Sequence, residues 1–310
     1  MSGLFQEAIF VSLLAATIRI ATPLLLSAMG ELVTQRAGIW NVGVEGTMLT
    51  GAFIAYIAYA VSGDHLTAFA LAISAAMVLG AITAFLSVTL RVDHFITGLG
   101  INLLASGLTL FWFRSFVKGK AQPTFDSIGT VPIPYLSDIP VIGSVLFDQR
   151  LLTYAAFALV PVVWAFLYRT RTGLELRALG ENPAALDTMG LNVVARQYAA
   201  TIFGSALTGL GGAFLMLGFS DRFVPELSAG RGWLVVVALI AGNWHPLRVT
   251  SAVLSFSFLE SVATHSQAIG AAVPYQLLLA LPYVISIAII VMARGKSRQP
   301  AALGESYSRS

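Results

Sequence analysis

The chain has 310 residues, 57% hydrophobic and only 11% charged, with a net charge of +3 and a mean hydropathy of +0.81. Soluble domains carry about 25% charged residues, so this composition excludes a water-soluble globular protein and describes an integral membrane one. The absence of cysteine removes disulfides, iron–sulfur sites and thiol chemistry, and no basic stripe points to nucleic acid.

A helix crosses the bilayer core with about 20 apolar residues, and on that measure the sequence predicts an all-α polytopic membrane bundle of about eight or nine transmembrane helices. It forms a single domain over 1–310. The first span, Ala8–Met29, has Arg19 mid-run and Pro23 after it. A lone mid-bilayer arginine is costly, so a bend here would lay Gly3–Thr17 along the interface. Val42–Val61, Leu66–Leu90 and Phe95–Phe116 follow, then a long connection, 117–150, with Pro123, Pro132, Pro134 and Pro140. Leu151–Tyr168 precedes an arginine-rich loop, 168–197. Gln197–Phe219, a short Trp233–Ala241, Val249–Thr264 and Tyr275–Met292 complete the set. The tail, 294–310, is polar and expected to lack fixed structure.

Arg169, Arg171, Arg177 and Arg196 in the loop, with Arg294, Lys296, Arg298 and Arg309 in the tail, place both on the cytoplasmic side. Counting back puts 117–150 and the N-terminus outside, against the pull of Lys118, Lys120 and Arg150. Inside the loop, Asn182 suits a helix N-cap, Pro183 the first helical position and Gly190 a left-handed stop. A rod of about two turns cannot hold itself together in water, so it needs a surface to lie on.

Polar residues within apolar runs are the candidate pathway groups. Asn41 and Glu45 are four apart and predict a shared helix face. Glu45 reads either as a substrate contact or as a carboxylate hydrogen-bonded at a tight crossing. Asn102, among Gly98, Gly100, Ser106 and Gly107, faces a path or makes an interhelical hydrogen bond. Gly204, Ser205, Thr208, Gly209, Gly211 and Gly212 predict a close-packing helix. Thr50-Gly51-Ala52-Phe53 echoes Gly211-Gly212-Ala213-Phe214. Arg231, between two glycines, sits at a broken helix near a path or anchors at the interface beside Trp233. Glu260 is a second intramembrane carboxylate. The four histidines lack ligand spacing, so no metal site is predicted, and no phosphate loop or nucleophile elbow occurs.

Three stretches carry a resemblance over about Ala21 to Met292: Arg36-Ala37-Gly38-Ile39-Trp40-Asn41-Val42-Gly43-Val44-Glu45-Gly46; Gly173 to Pro183 with Ala185 and Gly190; and Gly230-Arg231-Gly232 with Gly242-Asn243-Trp244-His245-Pro246. The chain resembles the membrane permease subunit of bacterial ABC importers, in the group of branched-chain amino acid, simple sugar and nucleoside permeases. It looks most like the shorter nucleoside-type permease. Gln35 stands where the pattern has Glu, and the opening is short of a further N-terminal span or reduces it to Gly3–Thr17.

The resemblance implies a type II importer-like permease in the bacterial cytoplasmic (inner) membrane. The chain itself would be no enzyme and would carry no cofactor. Its implied partners are ABC ATPase subunits, a second, longer permease and an extracytoplasmic substrate-binding protein. It would form half of the pathway for a small polar solute, nucleosides or simple sugars. Asn41, Glu45, Asn102 and Arg231 are the pathway candidates. The rod would dock in the ATPase through Arg177, Gly180, Glu181, Asn182, Pro183, Ala185, Asp187, Met189 and Gly190, with Leu186 adding apolar surface. The alternative is an ion-coupled secondary transporter or channel using Glu45 or Glu260.

Overall fold

A computed structural model describes residues 2–118, 127–220, 222–268, 280–281, 283–285, 287–288, 291 and 298–308. It is almost wholly helical: α1 Ser2–Arg36, α2 Val44–Ser62, α3 His65–Ala84, α4 His94–Val117, α5 Ile142–Leu146, α6 Leu151–Arg169, α7 Arg171–Glu181, α8 Pro183–Thr188, α9 Val193–Phe219, α10 Arg231–Ala241 and α11 Pro246–Ala268. A π-turn, Phe85–Thr89, ends α3. A two-residue hairpin pairs Val131–Pro132 with Asp148–Gln149. Among the described residues six helices are long and apolar enough to cross a membrane: Ile9–Arg36, Val44–Ser62, His65–Thr89, His94–Val117, Leu151–Arg169 and Val193–Phe219. The expected span Tyr275–Met292 lies for the most part outside the described residues.

Short polar side chains start the helices. Asp64, Asp93, Thr170, Asn182 and Asn192 accept from first-turn N–H groups of α3, α4, α7, α8 and α9. The first span is one continuous helix with no break at the expected bend. α1 runs unbroken through Arg19 and Pro23, about 52 Å at 1.5 Å per residue, longer than the hydrocarbon core. Pro23 costs α1 one backbone bond, and α9 packs closely there, where a Cβ on Gly211 would come within 2.7 Å of the Pro23 carbonyl.

α9 is the centre of the bundle and packs on α1, α2 and α3. Glycines make the approach possible. A Cβ at Gly204 would overlap the Thr34 hydroxyl, one at Gly209 the Ala76 methyl, and one at Gly212 the Met48 carbonyl. On the facing helix, a Cβ at Gly51 would overlap the backbone of Gly209. The two stretches that echo each other in sequence are therefore pressed together in space. Thr34 also donates its hydroxyl to the Ala200 carbonyl at 3.1 Å. α3 and α4 turn Leu71, Val78, Leu103 and Phe111 outward.

The loop 168–197 is not an open loop. It folds as α7, then α8. Residues 298–308 are likewise ordered against it, contrary to the expectation for the tail: Ala302 and Leu303 are buried. The α7–α8 pair, the turns at Gly38 and Asn243, and the tail meet at one end of the bundle. The hairpin lies at the other, where the Ile128 amide donates to the Leu217 carbonyl.

Gly212→Leu tests the α9 seam. It should cost about 3 kcal/mol or more through overpacking and remove the monodisperse detergent-solubilised peak on size exclusion. Gly107→Leu, at a position with nothing within 4 Å, should leave that peak unchanged.

Candidate functional site

α10 begins inside the bundle rather than at its surface. Its 11 residues span about 16 Å, half of a bilayer core. Gly230 precedes it in the left-handed region (φ 81°), a conformation that suits glycine. The orphan N–H groups of this broken end have a dedicated acceptor. Glu45, from α2, takes the Gly230 amide on Oε1 at 2.8 Å and the Gly232 amide on Oε2 at 2.6 Å. A carboxylate at a helix N-terminus also meets the positive end of the dipole. The fit is tight: a Cβ on Gly232 would come within 2.5 Å of the Glu45 backbone.

The next residue, Arg231, turns to Glu260 of α11 and ion-pairs with it. Both line a cavity of about 400 Å³ with Arg19, Arg150, Phe219 and Thr264. Among these lining residues three guanidinium groups face one carboxylate, and only Arg231 pairs with it. Burial lowers the Arg150 guanidinium from its ordinary value, and the charge of Arg19 lowers it further. Arg150 donates to the Ile128 carbonyl at 2.7 Å and lies over the Phe219 ring. The cavity is rich in donors and suits oxygen acceptors.

Nearer the α8 end lies a buried polar relay. Glu31, fully buried, accepts from the Gln35 amide and from the Asn41 amide, each at 3.1 Å. Gln35 in turn accepts from the Trp244 indole at 2.6 Å, and Arg36 donates to the Trp244 carbonyl at 2.7 Å. Asn243 and Trp244 both have positive φ (52° and 50°), a strained pair held by these anchors. Beside it, burial lowers the His245 imidazole below its ordinary value, and Arg248 and Arg36 push the same way.

The α7–α8 hairpin carries the expected docking residues, and they divide. Asn182 Oδ1 accepts the Ala185 amide at 3.2 Å, and Gly190 has φ 75°, so the short capped rod forms as its sequence dictates. Glu181, Asn182, Ala185, Met189 and Gly190 are exposed, Met189 by 74%. Pro183 and Asp187 are half-buried. Gly180 is buried, and a Cβ there would come within 2.5 Å of the Arg36 carbonyl. Arg177 points back, donating to the Leu167 carbonyl at 2.9 Å and covering the Tyr168 ring. Leu186, expected to offer apolar surface, is 3% exposed and belongs to the bundle's own core, because one rod face must bury to hold so short a helix.

Of the pathway candidates, Arg231 alone lines the cavity. Asn41 and Glu45 do not share a helix face: α2 starts at Val44, so Asn41 lies in the loop before it and points to Glu31. Asn102 bridges helices, accepting the Gly46 amide at 2.7 Å and donating to the Val42 carbonyl at 3.1 Å. Sequence reasoning missed Glu31, Arg19 and Arg150 as neighbours of these sites. Glu31 had a usable signal, a carboxylate four residues before Gln35 on an apolar helix.

Residues 13–293 match the family described as branched-chain amino acid transport system, permease component. The chain belongs to that permease family. The putative glucose ABC transporter permease protein TsgC13 of Haloferax volcanii is 36% identical over 96% of this chain and 97% of its own length. The nucleoside ABC transporter permease protein NupC of Lactococcus lactis is 33% identical over 94% of each chain. The guanosine ABC transporter permease protein NupQ of Bacillus subtilis is 33% identical over 94% of this chain and 95% of its own. A second guanosine permease from B. subtilis, NupP, matches at 26% over 78% of this chain but only 70% of its own length. No solved structure matches. This permease is therefore a multi-pass membrane subunit of an ABC importer and not an enzyme, and its relatives lend no support to the ion-coupled alternative.

Two outcomes test this permease site. Glu45→Gln removes the charge facing the α10 N-terminus and replaces one of the two acceptor oxygens with an NH2 donor. It should lower thermal stability by about 1 kcal/mol, whereas Gly232→Ala should cost more because α2 backbone must move. Differential scanning fluorimetry in detergent reads both. A depressed histidine favours the fold above its unfolded pKa and loses that contribution as pH falls through that value, about 6.5, towards the lower folded one. Melting temperature should therefore drop between pH 7.5 and 5, and His245→Gln should flatten that drop.

Proposed function

We propose that this permease pairs with a second, longer permease in a prokaryotic cytoplasmic membrane, with ABC ATPase subunits inside and a substrate-binding protein outside. The pairing rests on relatives of two kinds. One kind, such as NupQ, matches this chain along its length; the other, NupP, is covered over a smaller share. The solute is a nucleoside or a simple sugar, the two classes named for the relatives that match along their full length.

The observation that carries the coupling assignment is the α8 rod. It is capped, six residues long, and presents Met189 to the surroundings at the end of the bundle where the arginine-rich loop lies. We assign it as the handle seized by the ATPase, with Glu181, Asn182, Pro183, Ala185, Asp187, Met189 and Gly190 on the docking side. Arg177 and Gly180 brace it from behind. Nucleotide shifts the permease between states only through a difference in affinity for them, which this docking face supplies. α6 and α9 flank the hairpin and carry the movement into the bundle.

On the pathway, Arg231, Arg19 and Arg150 offer donors to the hydroxyl and carbonyl oxygens of a polar solute. Glu45 fixes the α10 end that presents Arg231, while Asn41 and Asn102 hold neighbouring backbone.

Uptake of labelled guanosine and labelled glucose by reconstituted transporter tests this reading. Uptake should require ATP and the ATPase subunits and survive collapse of ion gradients, and one solute should be taken up at least about tenfold faster, the expected scale of one specific hydrogen-bonding difference. Met189→Asp should break ATPase docking, seen as loss of co-purification. Gly190→Pro should leave insertion intact and uncouple hydrolysis from uptake. Uptake by the permeases alone, driven by an ion gradient, would refute the proposal.

A further inference from the structure

The α8 rod is held from a second side by a segment remote in sequence. Within residues 298–308, the Ala302 amide donates to the Gly180 carbonyl at 2.8 Å, at the end of α7. The Gly304 amide donates to the Gly38 carbonyl at 3.0 Å, in the turn after α1. Leu303 enters the same buried cluster as Leu179 and Leu186. Tyr307 donates its hydroxyl to the Asp187 carboxylate of α8 at 3.0 Å. At the other end of the segment, the Arg298 amide donates to Asn243 Oδ1 at 2.7 Å. Asn243 is the first of the two left-handed residues that turn α10 into α11.

We propose that residues 298–308 are a transmission strap, which carries displacement of α8 into the Asn243–Trp244 turn and so to the Arg231 end of α10. The inference rests on the reading of α8 as the ATPase handle and adds a second route to the one through α6 and α9. The chemistry favours stiffness. With the Ala301 amide donating to Glu181 Oε2 at 3.3 Å, four of these five hydrogen bonds use main-chain amides of the strap, so they fix its backbone rather than a rotatable side chain. The turn it grips is strained and already tied to Gln35 and Arg36, so it has a defined geometry to disturb. α10 is a single short rigid rod, so movement at its turn arrives at its far end, where Glu45 and Glu260 hold it. A tightly packed, anchored turn passes on a small shift better than a loose loop.

The test uses the assembled transporter in proteoliposomes, with ATP hydrolysis and solute uptake measured together. A chain ending at Pro300 should still co-purify with the ATPase subunits and hydrolyse ATP within about twofold of the parent, but move about tenfold less solute per ATP, within the usual span of allosteric couplings. Ala302→Pro in the full chain, which removes the amide bonded to Gly180 and stiffens the backbone around it, should reproduce the fall if the shortened chain does not accumulate. Tyr307→Phe should give a smaller fall. Unchanged solute per ATP in the shortened chain or in Ala302→Pro overturns the strap. So does loss of ATPase co-purification on shortening, which would make the segment a docking face instead. Met189→Asp separates the two readings: if it abolishes docking while the strap variants are silent, the strap alone falls; if it too is silent, the handle falls and the strap with it.

Discussion

Helices in a bilayer gain nothing from hiding apolar surface from water, so they associate through close packing and hydrogen bonds. In this permease that constraint is met on α9. Gly204, Gly209 and Gly212 remove side chains where α1, α3 and α2 arrive, and Gly51 does the same from the facing side. The resulting contacts set the α9 backbone against neighbouring backbone and short side chains, and they fix three long helices relative to one axis. Several of the polar devices described above are attached to these helices. Arg19, Glu31 and Gln35 ride on α1, Glu45 on α2, and the α8 rod enters α9 directly.

The second theme is what a membrane bundle does with charge. Each buried or half-buried ionic group is matched to a specific role in geometry. Glu45 saturates the orphan amides of a helix that starts within the bundle, Glu260 meets Arg231, and Glu31 gathers two amide side chains. The cavity between α1, α10 and α11 is the exception, where Arg19 and Arg150 stand without a carboxylate of their own among its lining residues. An excess of donors in an apolar surround is a natural place for a polar solute to exchange its water. The same broken helix links this cavity to the strained turn near the α8 end, so the two share one rigid element.

Much of this was legible in the sequence because it is local. The long apolar runs, the Asn182 cap, the proline-started rod and the glycine seam depend on neighbours within a few residues. The errors were also physical. Arg19 and Pro23 suggested a bend, yet the helix continues through both without a break, packed on α9. Asn41 and Glu45 were spaced for one helix face, yet Gly43 ends the loop between them and each finds a different partner. Leu186 looked available to a partner, yet a six-residue rod has to bury something. The tail looked unstructured by composition, yet main-chain amides, which composition does not register, tie it down.

The sequence by itself determined the membrane class, the helical elements, their caps and the exposed rod. These follow from hydropathy, backbone propensity and short-range hydrogen bonding. The tertiary structure alone decided which carboxylate caps which helix, which arginines share a cavity and where the tail is bound. Those pairings join residues far apart in the chain, Glu45 with Gly232 and Gly180 with Ala302 among them. They are set by helix packing, which no local pattern encodes.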